Sequence, residues 1–256
     1  MKLYFLGTCA GTEPMPNRQH ASMVLESGDA LYWFDAGEGC SRTAHLMGLD
    51  LLKVKRILIS HTHMDHVGGL GNLLWNIRKL TWVRDRKPFH GEIQLFIPNM
   101  ATWEGVSAIL ENSEKNLAGS YSLSVSQTRE GLVFDDGYVK VTACPNNHIK
   151  TEPGMWLSYS YVIECEGRRL VYSGDLGKLT DLDPMLSKAC DSLIIETGHF
   201  SIDGVRDYLA DKNYGKLFFT HNGREILNHP EKSKEKVQQY FEGKAIICQD
   251  GMIAEL

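Results

Sequence analysis

Ile57-Leu58-Ile59-Ser60-His61-Thr62-His63-Met64-Asp65-His66 decides the reading of this chain. The aliphatic run reads as a buried strand, and the residues after Ser60 place four metal-capable side chains immediately beyond its end. Three of the chain's 10 histidines fall there, a density that a solvated surface turn does not call for. Imidazole and carboxylate together suit zinc, manganese or iron, and no neighbouring thiolate points to a closed structural zinc site. A turn leaving the sheet can aim His61 and His63 the same way. Asp65 and His66 follow where a helix is expected, because Val67, Leu70, Leu73, Leu74 and Ile77 recur at helical spacing and an aspartate suits a first turn. A single ion needs three protein ligands and an open position. Four donors in one turn therefore favour two ions, roughly 3.5 to 4 Å apart and sharing a water or hydroxide.

Two ions need further ligands, expected at other strand ends. His148 follows an alternating run at 138–143 across Pro145-Asn146-Asn147. Asp175 follows Leu170-Val171-Tyr172 in the turn Ser173-Gly174-Asp175, and His221 follows Leu217-Phe218-Phe219-Thr220. There is also an internal echo. Trp33-Phe34-Asp35-Ala36-Gly37 is similar to Val171-Tyr172-Ser173-Gly174-Asp175, and Ile57-Leu58-Ile59-Ser60-His61 to Leu217-Phe218-Phe219-Thr220-His221. The order suggests two similar halves whose strand ends meet at one site.

Taken together these residues resemble the metallo-β-lactamase superfamily, whose His-x-His-x-Asp-His signature stands here as His61 to His66, with later motifs at His148, Asp175 and His221. The resemblance spans nearly the whole chain and implies a four-layer αββα sandwich within the α/β class. It implies that His61, His63 and His148 bind a first metal, that Asp65, His66 and His221 bind a second, that Asp175 bridges them, and that Asp35 supports the ligands from behind. Phe5-Leu6-Gly7-Thr8-Cys9-Ala10-Gly11-Thr12, Arg18, Ser22 and Phe34-Asp35-Ala36-Gly37-Glu38-Gly39 further resemble ribonuclease Z and its phosphodiesterase relatives. Two departures point away from ribonuclease Z itself. Only 27 positions (175 minus 148) separate His148 from Asp175, which leaves no room for that enzyme's tRNA-gripping arm. Its His-Glu-Ala-Thr motif is matched only at Glu196, with Ile195 where the histidine would stand and His199 four positions later.

The 256 residues are expected to form one domain, 1–256, with strands near 2–6, 22–26, 31–35, 55–60 and 93–98. Helices are expected near 66–80, 101–112, 202–209 and 232–241, and hairpin turns at Asp135-Asp136-Gly137 and Glu166-Gly167. A net charge of -5 and a pI near 6.1 give no global attraction for nucleic acid. RNA is thus compatible as a substrate but not favoured over a small molecule or nucleotide. Arg78, Lys79, Arg84, Arg86 and Lys87 form a local basic patch beside Trp75 and Trp82, which reads first as a solvated face and second as a phosphate holder. Six scattered cysteines without a Cys-x-x-Cys pair suit a reducing compartment. With no signal-like start and no run of about 18 apolar residues, the expectation is a cytoplasmic protein without membrane association. A homodimer is left open.

The expected chemistry is hydrolysis of a phosphodiester-type substrate by a hydroxide bridging two divalent ions, zinc first and manganese second. Asp65 orients or deprotonates the water as well as ligating, and His199 protonates the leaving oxygen. Lactone or thioester hydrolysis and ribonuclease Z-type tRNA 3' processing are the hydrolytic alternatives. A di-iron redox protein would replace one motif histidine by a carboxylate and carry a flavin module, and neither is present. A metal-stabilised binding protein without turnover is disfavoured by the intact ligand set. The loop 149–157, with Pro153-Gly154-Met155-Trp156, and the residues Arg18 and His20 are candidate pocket elements.

Overall fold

The computed structural model describes residues 1–84, 91–113, 120–149, 151–152 and 154–256, and the side chain of Arg84 lies outside the description. Strands in chain order are β1 (Lys2–Gly7), β2 (Ser22–Ser27), β3 (Ala30–Phe34), β4 (Val54–Leu58), β5 (Glu92–Ile97), β6 (Ser122–Gln127) and β7 (Gly131–Asp135). They continue as β8 (Val139–Pro145), β9 (Tyr159–Cys165), β10 (Arg168–Tyr172), β11 (Cys190–Thr197), β12 (Tyr214–Asn222), β13 (Ala245–Ile247) and β14 (Met252–Glu255). The helices are α1 (Cys40–Leu46), α2 (Met64–Val67), α3 (Leu70–Arg84), α4 (Met100–Ser113), α5 (Asp183–Leu186), α6 (Ile202–Leu209), α7 (Arg224–Asn228) and α8 (Pro230–Phe241). The chain divides into two compact units, one formed by Met1–Gly7, Gln19–Thr128 and Asp250–Leu256, the other by Thr8–Arg18 and Arg129–Gln249.

In the first unit a seven-stranded sheet runs β14-β1-β2-β3-β4-β5-β6. The pairs from β14 to β3 are antiparallel and those from β3 to β6 are parallel. β3 is an all-apolar run buried at every position, as a strand covered on both faces must be. Its Trp33 packs with Ile57 of β4 and with Leu70, Leu73, Leu74 and Ile77 of α3 in one core. Each such side chain, fully buried, is worth about 1.5 to 3 kcal/mol.

The helix expected over 66–80 is in fact two, α2 and α3, broken at Gly68-Gly69. Here the chain turns to hydrogen-bond another loop instead of its own preceding turn: Ala36 N–H donates to the His66 carbonyl at 2.7 Å, and Gly69 N–H to the Ala36 carbonyl at 2.7 Å. The cost of a glycine pair in a helix makes this the natural break. It leaves His66 in a short turn tied to the residues after β3.

The second unit repeats the plan. Its sheet runs β7-β8-β9-β10-β11-β12-β13, antiparallel up to β10 and parallel beyond. Ile202, Val205 and Leu209 of α6 and Val237 and Phe241 of α8 are buried with Leu193, Ile195, Leu217 and Phe219. Ser201 caps α6 by accepting from Gly204 N–H at 3.1 Å. By sheet position β3 corresponds to β10 and β4 to β11. The sequence echo of β4 with β12 is therefore displaced by one strand, because short apolar runs ending in hydroxyl-His do not carry strand order.

Candidate metal centre

In the first unit the chain leaves β4 through Ile59, whose N–H donates to the Phe96 carbonyl at 2.9 Å. Ser60 and His61 are then buried. His61 Nε2 and His63 Nδ1 lie 3.0 Å apart. The rings of His61 and His66 are tilted by 49° with centroids 4.0 Å apart. His66 Nε2 stands 3.5 Å from Asp65 Oδ2. Behind them Asp35, itself held in the left-handed region at φ 57°, accepts from Ser60 N–H at 2.6 Å, from Ser60 Oγ–H at 2.8 Å and from His66 Nδ1 at 2.9 Å. That contact occupies Nδ1 and turns Nε2 toward Asp65. His61, His63, Asp65 and His66 are thus brought together at one strand end.

In the second unit Asp175, 2% exposed, is the common neighbour. Its Oδ2 lies 3.3 Å from His221 Nε2, 3.7 Å from His148 Nε2 and 3.9 Å from His199 Nδ1. His221 does not follow its strand but lies inside it. β11 and β12 pair Glu196 with Thr220 and Thr197 with Asn222, so His221 is the extra residue of a bulge, at φ 47°. A bulge of this kind re-aims one side chain at a strand end. His148 is held by the Asn146 side chain, which accepts from His148 N–H at 3.2 Å and donates to Ser160 Oγ at 3.1 Å.

Glu196 is the member that the sequence marked only as a motif remnant. It is 1% exposed and accepts from Leu176 N–H at 2.8 Å, His199 N–H at 2.9 Å and His199 Nδ1 at 3.0 Å. Burial works against the Glu196 carboxylate, but the hydrogen bonds from His199 and His221 outweigh it and lower its pKa. The Glu196 hydrogen bond in turn raises the pKa of His199 against the effect of its partial burial. Donor atoms of Asp175, Glu196, His199 and His221 all fall within 4.8 Å of one another. The available signal was an acid closing the apolar run Leu193-Ile194-Ile195. Ile195 itself is fully buried in the core of this unit.

Two ligand atoms on one tetrahedral ion at about 2.0 to 2.1 Å stand about 3.3 Å apart. The His221–Asp175 donor pair has this spacing at 3.3 Å and the His61–His63 pair comes within about 0.3 Å of it at 3.0 Å, so both donor sets fit divalent metal ions.

The remaining candidates have local roles. Arg18 Nη1 donates to Thr8 Oγ1 at 2.8 Å and to the Cys248 carbonyl at 3.3 Å, tying chain segments together. His20 Nδ1 lies 3.8 Å from Glu38 Oε2. Of the basic patch, Lys79 sits with its ammonium 5.0 Å from the centre of the Trp75 ring, while the Arg84 side chain, Arg86 and Lys87 lie outside the described residues. In the loop 149–157, Met155 is exposed and Trp156 half-buried; Lys150 and Pro153 are outside the description. The segment from His148 to Asp175 holds, among its described residues, a loop and the β9–β10 hairpin. All six cysteines are thiols. Among the described residues no helix is long and apolar enough to cross a membrane.

Comparison with known proteins places these features in a family. The profile of the family described as Anti-Pycsar protein Apyc1 matches residues 1–211. Ribonuclease Z of Methanothermobacter thermautotrophicus is 29% identical over 150 residues, which are 58% of this chain and 45% of that protein. Ribonuclease BN of Escherichia coli O6:K15:H31 is 31% identical over 227 residues, 84% of this chain and 67% of that protein. The chain thus spans less than half of the first relative and about two thirds of the second. Among solved structures, human tRNase Z, short form, aligns over 100% of this chain and 99% of its own with a TM-score of 0.76 at 20% identity. The metallo-beta-lactamase fold protein YhfI from Bacillus subtilis aligns over 100% and 99% with a TM-score of 0.72 at 19% identity. The fold class is that of the metallo-β-lactamase α/β sandwich.

Proposed function

This chain belongs to the Anti-Pycsar protein Apyc1 family and is a ribonuclease Z-like hydrolase of the metallo-β-lactamase superfamily, and we propose that it hydrolyses a phosphodiester in a nucleotide or nucleic acid at a dinuclear centre. The observation that carries this reading is the gathering of imidazole and carboxylate donors at strand ends of each unit, around the His61–His63 pair and around Asp175. In the reading the two units act as one domain. His61, His63 and His148 hold one divalent ion, Asp65, His66 and His221 the other, and Asp175 both, with zinc first and manganese second as the metal. When bound, the ions supply a water that ionises near neutral pH and stabilisation of an anionic transition state.

The chain's own groups do the rest. Asp65, carried on the first turn of α2 with its side chain only 12% exposed, orients the attacking water by accepting its proton. His199 has its Nδ1 held by Glu196, which leaves Nε2 to hand a proton to the leaving oxygen. Its side chain is 43% exposed, so that nitrogen can reach a substrate. A positioned general acid of this sort contributes about 100- to 10,000-fold.

The test is turnover of bis-p-nitrophenyl phosphate by metal-loaded protein with and without a chelator, extended to a cyclic nucleotide, a linear dinucleotide, a tRNA precursor and a lactone. Chelator-sensitive cleavage of phosphodiesters supports the reading. Activity confined to the lactone would replace it with carboxylic-ester chemistry.

A further inference from the structure

We propose that Asp181 is a positioning residue that sets the separation of His148 from Asp175, and with it the metal affinity of their part of the centre; this rests on the reading of those two residues as ligands. Asp181 lies in the short 3-10 turn Leu179–Leu182 and is 7% exposed. Its Oδ2 accepts from the backbone N–H of Asn147, of Gly177 and of Lys178, each at 3.1 Å. Its Oδ1 accepts from Asn147 Nδ2 at 2.7 Å. Asn147 immediately precedes His148, and Gly177 stands two residues after Asp175. A single buried carboxylate therefore grips both ligand loops.

The opposite flank of the same two loops is joined by a neutral chain, in which Asn146 Nδ2 donates to Ser160 Oγ at 3.1 Å and Ser160 Oγ donates to the Ser173 carbonyl at 2.5 Å. The loops are thus tied on one flank by hydroxyl and amide and on the other by the Asp181 carboxylate. Four N–H donors converge on that carboxylate, which only an acceptor with two oxygens can satisfy. An asparagine offers one oxygen and turns an NH2 toward the remaining donors. The contact is also close-fitting. A Cβ added to Gly177 would lie 2.5 Å from the Asn147 carbonyl oxygen, so an alanine there would wedge the same two loops apart from within. Metal ligands must be held to within about 0.5 Å of their working positions, and both changes act on the contacts that hold the loops of His148 and Asp175 together.

The experiment is zinc titration of metal-free protein by competition with a chromophoric chelator, on the parent and on Asp181→Asn, Gly177→Ala and Asp175→Ala, with far-UV circular dichroism in chelator as the fold check. Asp181→Asn and Gly177→Ala should keep the metal-free spectrum and bind zinc about 10- to 100-fold more weakly, while Asp175→Ala should lose bound zinc outright. Parent affinity in both clamp variants, with zinc lost in Asp175→Ala, overturns the clamp and leaves the ligand assignment standing. Full stoichiometry and affinity in Asp175→Ala overturns the ligand assignment and the clamp with it. If Asp181→Asn fails the fold check, Gly177→Ala decides, by weakened or parent affinity.

Discussion

The Asp35 carboxylate lies 2.9 Å from His66 Nδ1, and both side chains are wholly buried. The same carboxylate also takes the Ser60 amide and hydroxyl, so it fixes both where the motif loop leaves β4 and which nitrogen of His66 faces Asp65. Replacing Asp35 by alanine removes the acceptor for three buried donors. Leaving such groups unsatisfied costs about 1 to 3 kcal/mol each, and a lost supporting contact to a ligand weakens metal binding about 10- to 100-fold. Thermal unfolding in chelator and zinc competition should show both losses together.

Glu196 and His199 make a second test. His199→Ala should keep its metal content and lose about 100- to 10,000-fold in turnover of a diester whose leaving group needs a proton. The loss should be much smaller for p-nitrophenolate, which leaves without one. Equal losses on both substrates, or none, would remove His199 from the role of acid.

Gly198 touches the centre through its lack of a side chain. A Cβ there would lie 2.5 Å from His221 Nδ1, so Gly198→Ala should push the bulged His221 off its position beside Asp175 and lower metal content in elemental analysis. A parent metal content would show that His221 is not held where the bulge puts it.

Alkaline stability should carry a signature of Tyr4. Burial first, and then its 2.6 Å hydrogen bond to Glu26, push the Tyr4 hydroxyl from its ordinary value of 10.0 up to about 12. A raised value means that the folded chain holds the proton more tightly than the unfolded one. Below pH 10 this contribution is fully present, and it is lost as pH rises from about 10 to about 12. Tyr4→Phe should flatten that part of the stability profile measured by urea unfolding.

Much of the centre was legible in the sequence because its donors sit at abrupt ends of apolar runs: Ile57-Leu58-Ile59 before His61, Leu170-Val171-Tyr172 before Asp175, Leu217-Phe218-Phe219 before His221. Three features were not. The break at Gly68-Gly69 depends on hydrogen bonds to Ala36, distant in sequence. The bulge at His221 depends on register against β11, and register leaves no trace in composition. Asp181 looks like an ordinary turn aspartate until Asn147, 34 residues earlier, is seen to bond it. Long-range polar contacts have no periodicity to betray them. The echo between halves was visible as residues but paired β4 with β12, whereas sheet order makes β11, not β12, the counterpart of β4.

The most direct test of the dinuclear phosphodiesterase reading is a joint measurement on one preparation: metal content by elemental analysis and bis-p-nitrophenyl phosphate turnover, for the parent and for Asp175→Ala. The account predicts two divalent ions per chain with chelator-sensitive turnover in the parent, and loss of metal and turnover together in the variant. Parent-level turnover by an Asp175→Ala protein, or by a parent stripped of metal, would contradict it.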